Sequence, residues 1–243
     1  MKNILLLLGL ITVTLLFSSC EKGELGPWVR GVGPVETETR AVNHFSRLEV
    51  KDHIEVVISQ GDQPEVRLEA QRNVLEVVEA RVSGDQLVLR TTRPIAGKNT
   101  KRVRAFVTVP ALSEIAVGDH AAVRSSSAWS AGTFRLRVKD HGTAELLLGQ
   151  VDNLLTAVKD HASLKLSGRA RRQEVSGHGH ASVQAFDLSS EQAAVDVDDH
   201  ASVQIQVSGQ LHATARDHGH VSYRGQPAVS VHTSGHGQVG ATN

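Results

Sequence analysis

Six histidines recur at nearly constant spacing in the second half of the sequence, and they are the side chains best suited to chemistry. Most of them follow an Asp and precede a small residue, as in Val138-Lys-Asp-His-Gly-Thr-Ala144. An imidazole nitrogen can bind zinc and other transition metals, and its charge changes near neutral pH. The regularly spaced members are His120, His141, His161, His180, His200 and His220, separated by 21, 20, 19, 20 and 20 residues.

The residues around each histidine alternate between apolar and polar, which is typical of a β-strand with one buried face. Near His200 the apolar phase holds Val195, Val197, Ala201 and Val203, whereas His200 is on the polar phase. Each histidine is therefore predicted to point outward. The preceding Asp would face inward unless the chain bends there. Because Asp before Ala or Gly suits a turn, the Asp-His pair is predicted to form a corner.

Units of about 20 residues with two short strands cannot bury an apolar face alone, but stacking equivalent units produces a continuous core. We therefore predict an all-β fold, a right-handed parallel β-helix-like coil, with handedness taken from the usual crossover rule. A second turn per unit is expected near Ser-Gly pairs such as Ser167-Gly168. The alternative fold is a β-sandwich built from hairpins of similar length.

Stacked corners would lie about 4.8 Å apart, the spacing of neighbouring strands. Tilted imidazoles on adjacent coils would then reach one zinc or other transition-metal ion, with a third ligand from His178 beside His180 or from His218 beside His220. Two other interpretations stay open: exposed residues copied with their repeat, and a pH-responsive column. The candidate metal ligands are His120, His141, His161, His178, His180, His200, His218 and His220.

The amino-terminal segment has the pattern of a lipoprotein leader. Lys2 precedes an apolar run from Ile4 to Leu16, too short to span a bilayer, and Phe17-Ser-Ser-Cys20 follows. We predict a signal peptide over residues 1–19 and a lipidated Cys20 with a tether over 20–30. One β-helix domain then covers 31–243, with irregular coils over 31–112 and Asp-His repeat coils over 113–243. The Glu21-Lys22 tether is similar to those of Bacteroidetes surface lipoproteins.

The composition of the chain and the motifs it lacks disfavour nucleic-acid binding and enzymatic activity. The formal net charge is zero, which disfavours a nucleic-acid partner. Cys20 is the only cysteine, so lipidation would leave no thiol nucleophile, and neither Gly-x-Ser-x-Gly nor His-Glu-x-x-His occurs. The nearest approach to a catalytic cluster is Asp196, Asp198 and Asp199, which strand alternation explains as surface. We therefore expect no enzymatic activity and no cofactor other than the candidate metal.

The first half of the chain resembles a known family. The pattern includes Gly31-x-Gly33, Arg40, Phe45-x-x-Leu48-x-Val50 and Ile54-x-Val56-x-Ile58-x-Gln60-Gly61. It is similar to the opening of the auto-transporter adhesin, head GIN domain family of bacterial envelope proteins, and the resemblance covers most of residues 31–240. It implies a β-helix-like fold, a cell-envelope setting and an adhesin role, with no catalytic residues. This chain departs from the family by carrying Asp-His corners where Gly-Ser-Gly is usual.

These observations predict a lipid-anchored outer-membrane lipoprotein, facing either the periplasm or the cell surface. It would act as a non-enzymatic adhesin-like binding or scaffold module for a surface polysaccharide or a protein. An exposed end of the coil would permit a homodimer through unpaired strand edges. The alternative functions are a metal-binding envelope protein that uses the histidine column and a polysaccharide-active β-helix enzyme.

Overall fold

The computed structural model describes residues 28–242, of which nearly all the regular structure is strand. The predicted leader, Cys20 and most of the tether lie outside the described residues. Within residues 28–242 no helix is long and apolar enough to cross a membrane.

Within the described part of the chain, the fold has seventeen strands and one short helix. The helix, α1, spans Arg72–Leu75. The strands are β1 Val35–Arg40, β2 Arg47–Val50, β3 Glu55–Gln60, β4 Glu65–Gln71, β5 Val78–Ser83, β6 Gln86–Thr91, β7 Arg104–Val109, β8 Glu114–Val117, β9 Ala122–Ser125, β10 Trp129–Val138, β11 Thr143–Val158, β12 Ser163–Gly177, β13 Ser182–Val197, β14 Ser202–Ala215, β15 His220–Arg224, β16 Ala228–Thr233 and β17 Gln238–Ala241.

From β8 onward the strands stack in parallel, each coil pairing with the one before it. Val138 lies opposite Val158, which lies opposite Gly177, and the same column continues through Val197 to Ala215. The result is a β-solenoid of about six turns. The predicted parallel coil is confirmed, and the β-sandwich alternative is wrong because a sandwich of hairpins would pair its strands antiparallel.

The core is a narrow column of small and branched apolar residues. Each long strand buries alternate side chains, and in β14 the residues Val203, Ile205 and Val207 are all fully buried. Because equivalent positions stack on one another, similar side chains meet coil after coil, and few large aromatics are needed. The largest fully buried side chains are Trp129, Phe45 and Phe134.

The amino-terminal part departs from a simple coil. β2 and β3 lie between β6–β7 and β8–β9 as parallel neighbours, so they form one coil of the stack. In contrast, β4 pairs antiparallel with both β1 and β7, and β5 pairs antiparallel with β6. The β5–β6 pair is a tight hairpin because Gly84 takes a φ of +62°, which suits a short turn.

The second bend of each coil is not a hydrogen-bonded turn. The strand continues through it with a shift of register, for example between Leu148 and Val151 of β11. Gly168 lies at this bend with a φ of +109°. The expected position near Ser167-Gly168 is therefore right, but the geometry is a β-bulge. The pairing is interrupted at the bulge, and the strand bends there.

Candidate functional site: the histidine stack

Each histidine of the repeat is positioned by a tight turn whose second residue has a positive φ. Asp140 has a φ of +61°, and the turn closes with a bond from the Gly142 N–H to the Lys139 carbonyl oxygen at 2.9 Å. Asp tolerates this left-handed conformation better than most residues because its short side chain can bond locally. In two coils Gly179 and Gly235 take its place, with φ of +71° and +63°. The predicted Asp-His corner is confirmed.

The corners stack so closely that eight imidazole rings form one continuous column, which we call the histidine stack. Adjacent ring centroids are 4.4–5.1 Å apart, and all the planes but the last agree within 7°. The final ring, His236, is tilted by 31° from its neighbour. All eight side chains are exposed, including His120, His141, His161, His180 and His200, which were predicted to point outward. In order the members are His53, His120, His141, His161, His180, His200, His218 and His236.

One of the regularly spaced histidines is in a different place from the one predicted. His220 lies opposite Ser202 on the strand that follows the corner, and its Nε2 is 3.0 Å from Ser222 Oγ. The corner position belongs to His218, which stacks on His200. The coil shortens here, since His200, His218 and His236 succeed one another every 18 residues rather than every 20.

His178 does not join the stack either. It precedes the corner occupied by His180, and its Nδ1 lies 2.7 Å from Asp198 Oδ1 on the next coil. Arg216 approaches Asp198 within 3.5 Å and Asp196 within 2.7 Å. The two carboxylates proposed as a catalytic cluster are therefore engaged by cationic or hydrogen-bonding neighbours. Asp199 is the positive-φ residue of its corner.

Constant spacing was the wrong signal for the ends of the stack, and it missed His53 and His236. A better signal is local: an Asp or Gly, which tolerates a positive φ, directly before the histidine. Asp52 precedes His53 and Gly235 precedes His236, whereas the coil length between corners changes. Gly also precedes His178 and His220, which lie outside the stack, so this local signal selects candidate corners and only the structure shows which of them are used.

The stacked arrangement limits what the imidazoles can do together. The lone pair of an imidazole nitrogen lies in the ring plane, so parallel rings direct their nitrogens along parallel lines. A single ion held at about 2.0–2.1 Å by two nitrogens would require neighbouring rings to rotate out of the stack. Among residues 28–242 no three His, Cys, Asp or Glu side chains are grouped to hold a metal ion.

Charged side chains flank the stack on the side that precedes the corner. Lys139 Nζ lies 3.2 Å from Asp140 Oδ2. This hydrogen bond raises the pKa of Lys139, and the carboxylates of Asp119 and Asp160 on the adjacent coils act in the same direction. An ion pair therefore lies beside the stack at this coil.

On the other side of the stack runs a column of hydroxyl groups. Thr143, Ser163, Ser182 and Ser202 lie opposite one another on successive coils, two residues after the histidines His141, His161, His180 and His200. Each histidine is exposed, the residue after it is buried and the hydroxyl residue is again exposed or half-buried, so the imidazoles and hydroxyls form one outward surface. We call these eight residues the imidazole–hydroxyl strip.

Fold and site together define a class: a β-solenoid that displays one repeated side-chain pattern along its length. Comparison with known families agrees with it. The model of the family described as "Putative auto-transporter adhesin, head GIN domain" matches residues 44–227, and the chain belongs to this family. The resemblance seen in the sequence is thereby confirmed. Membership supports a binding or adhesin-like role and an envelope or surface setting.

Solved structures share the fold at low sequence identity. A putative adhesin from Bacteroides fragilis NCTC 9343 is 16% identical with a TM-score of 0.82, over 88% of this chain and 100% of its own. A putative adhesin from Parabacteroides merdae ATCC 43184 is 16% identical with a TM-score of 0.67, over 88% and 99%. A putative lipid binding protein from Parabacteroides distasonis ATCC 8503 is 14% identical with a TM-score of 0.68, over 88% and 99%. No curated protein matches the chain.

Proposed function

We propose that this protein is a lipid-anchored, non-enzymatic binding module of the outer membrane, with an adhesin-like role toward a surface polysaccharide. Family membership supports the adhesin-like part. The leader pattern that ends in Cys20 supports the anchor, since several acyl chains at one cysteine give lasting attachment to a membrane.

The observation that carries the polysaccharide proposal is the imidazole–hydroxyl strip. It repeats a donor-and-acceptor hydroxyl beside the exposed edge of an imidazole on four successive coils, at about the 4.8 Å spacing of neighbouring strands. A chain of sugar units offers repeating hydroxyl groups that can hydrogen-bond to the nitrogens and hydroxyls of such a surface. Engagement of Asp196 and Asp198 by Arg216 supports a role in binding rather than hydrolysis.

The test is binding of the chain from Glu21 onward to a panel of bacterial surface polysaccharides. In the test variant His141, His161 and His180 are all changed to Ala. In the matched control Arg171, Arg172 and Glu191, which are exposed on the opposite side of the coil, are changed to Ala. We expect binding that weakens at least tenfold in the test variant only.

Several results would overturn this proposal. They are an absence of binding to every polysaccharide, equal binding by the two variants, or release of new reducing ends from a bound glycan. Binding to a protein of the envelope instead would replace the polysaccharide by a protein partner.

The anchor is tested separately in cells. Mass spectrometry of the mature protein should find Cys20 acylated and amino-terminal, and Cys20→Ser should move the protein from the membrane fraction to the soluble fraction. Membrane retention of the Cys20→Ser variant would contradict lipid anchoring.

A second candidate is transition-metal binding by the histidine stack. It is favoured by eight exposed imidazoles whose nearest neighbours are 4.4–5.1 Å apart, although neighbouring rings would have to leave the stack to share an ion. Calorimetric titration with zinc, copper and nickel tests it. The comparison is a variant in which His141, His161, His180 and His200 are changed to Gln. Sub-micromolar affinity lost in the variant would support a metal site; equal or absent binding would refute it.

A further inference from the structure

The two ends of the solenoid are built differently, and the difference concerns their open strand edges. At the amino-terminal end, β1 pairs only with β4 and β5 only with β6 among the described residues. Both edge strands carry charges: Glu36, Glu38 and Arg40 in β1, and Glu79 and Arg81 in β5. Charged side chains are a common means by which proteins prevent edge-to-edge pairing.

The carboxyl-terminal end lacks this protection. Among the described residues β16 pairs only with β14, and β17 pairs only with β15, so each leaves one row of backbone donors and acceptors unpaired. Residues 225–242 contain no Asp, Glu, Lys or Arg. We call the coil formed by residues 225–242 the terminal coil.

The terminal coil also leaves core positions uncovered. Val229 lies opposite Leu211 and Val231 lies opposite Ala213, so both valines continue buried columns of the core. Leu211 and Ala213 are 0% and 3% exposed, whereas Val229 and Val231 are 41% and 49% exposed. The side chains that face the interior in every earlier coil therefore face solvent in the last one.

We propose that a second copy of this chain docks on the terminal coil, end to end, to form a symmetric dimer. The surface is self-complementary: valines meet valines, and unpaired strand edges meet unpaired strand edges. Because the terminal coil has no formally charged side chain, two identical surfaces approach without like-charge repulsion. A twofold axis that relates the two ends closes the assembly, so a dimer forms rather than a fibre.

The opposite end does not continue the assembly, since its edge strands carry charges. An 18-residue surface is small beside the roughly 20–30 residues per partner of a standard interface. We therefore expect a dimer that dissociates reversibly on dilution. This inference does not depend on the polysaccharide proposal, because the terminal coil lies outside the imidazole–hydroxyl strip.

Sedimentation velocity over a range of protein concentrations measures the fraction of dimer and so tests the proposal. The sample is the chain from Glu21 onward, which contains every described residue. The test variant carries Val229→Lys and Val231→Lys. The matched control is Leu147→Lys, since Leu147 is 44% exposed but lies on a central coil. We expect reversible dimers of the unchanged protein and of the control. The test variant should be monomeric, with at least tenfold weaker association.

A second measurement remains decisive if the lysine variant does not fold. The chain from Glu21 contains no cysteine, so a single introduced thiol reports on one location. Ser230→Cys should be cross-linked into dimers by a short bifunctional thiol reagent, whereas Ser189→Cys, exposed on a central coil, should not. Monomers of the unchanged protein at every concentration, dimers of the lysine variant, or equal cross-linking of the two thiols would each overturn the proposal.

Discussion

The backbone N–H of His161 donates a hydrogen bond of 2.9 Å to the carbonyl oxygen of Asp140, one coil earlier. From His161 onward the corner of each coil is thus bonded to the corner before it, and the ladder of the solenoid continues through these turns. The same contact recurs from His180 to Asp160 and from His218 to Asp199. This backbone contact holds neighbouring corners at the ladder spacing and so brings the rings from His141 onward within stacking distance.

We expect the histidine stack to contribute to stability through ring contacts on both faces of each internal member. His161→Ala removes two stacking contacts and should lower the free energy of unfolding by about 1–2 kcal/mol. Urea denaturation of the two proteins measures the difference. The control is His220→Ala, which removes an exposed histidine outside the stack and should change little. Equal losses in the two variants would contradict a stabilising stack.

The left-handed backbone conformation at the corner predicts that the Asp position accepts glycine better than a β-branched residue. Asp160→Gly should leave the free energy of unfolding within about 0.5 kcal/mol, because Gly179 and Gly235 already serve the same position in other coils. Asp160→Val should cost about 1–2 kcal/mol, since a β-branched residue is disfavoured at a φ of +61°. Thermal melts of both variants suffice as the measurement. If valine were tolerated as well as glycine, the corner conformation would not be the constraint.

Gly168 is required for close packing of two coils at the second bend. A Cβ atom added there would lie 1.8 Å from the Leu148 carbonyl oxygen, and the φ is +109°. Gly168→Ala should therefore lower the free energy of unfolding by about 3 kcal/mol, through strain and displaced backbone. Gly132→Ala is the matched control, because a Cβ there meets nothing within 4 Å. Similar stability of the two alanine variants would show that the bend can relax.

Acid sensitivity is expected where the β5–β6 hairpin contacts the first coil. A side-chain hydrogen bond from Arg47, aided by one from Ser46, lowers the pKa of Asp85. The unfolded chain therefore takes up a proton at Asp85 at a higher pH than the folded protein does. The resulting stabilisation is complete above the unfolded pKa of about 3.9 and is lost as the pH falls through the folded value.

Asp85→Asn should consequently lessen the decline of the melting temperature between pH 5 and pH 3. Asp62→Asn, at an exposed turn position, provides the control and should retain the decline of the unchanged protein. An identical pH profile for Asp85→Asn would show that this ion pair does not affect stability.

Most of the fold could be predicted from the sequence because its determinants are local and repeated. Alternation around Val195 and Val203 identifies the buried face, and the Asp-His pairs identify the corners. Stacking was predictable since a unit of about 20 residues has no other way to bury its apolar face. The antiparallel strand pairs of the amino-terminal part were harder to predict, because a short alternating segment does not specify its partner strand.

By itself, the sequence determined the all-β class, the outward histidines, the corner chemistry and the family. Tertiary structure decided which histidines meet: it brought His53 into the stack, replaced His220 by His218 and placed His178 against Asp198. It also revealed the uncovered terminal coil. The reason is physical. Alternation and turn preference act over a few residues, whereas register between coils depends on how much chain each bulge absorbs, and that length varies from coil to coil.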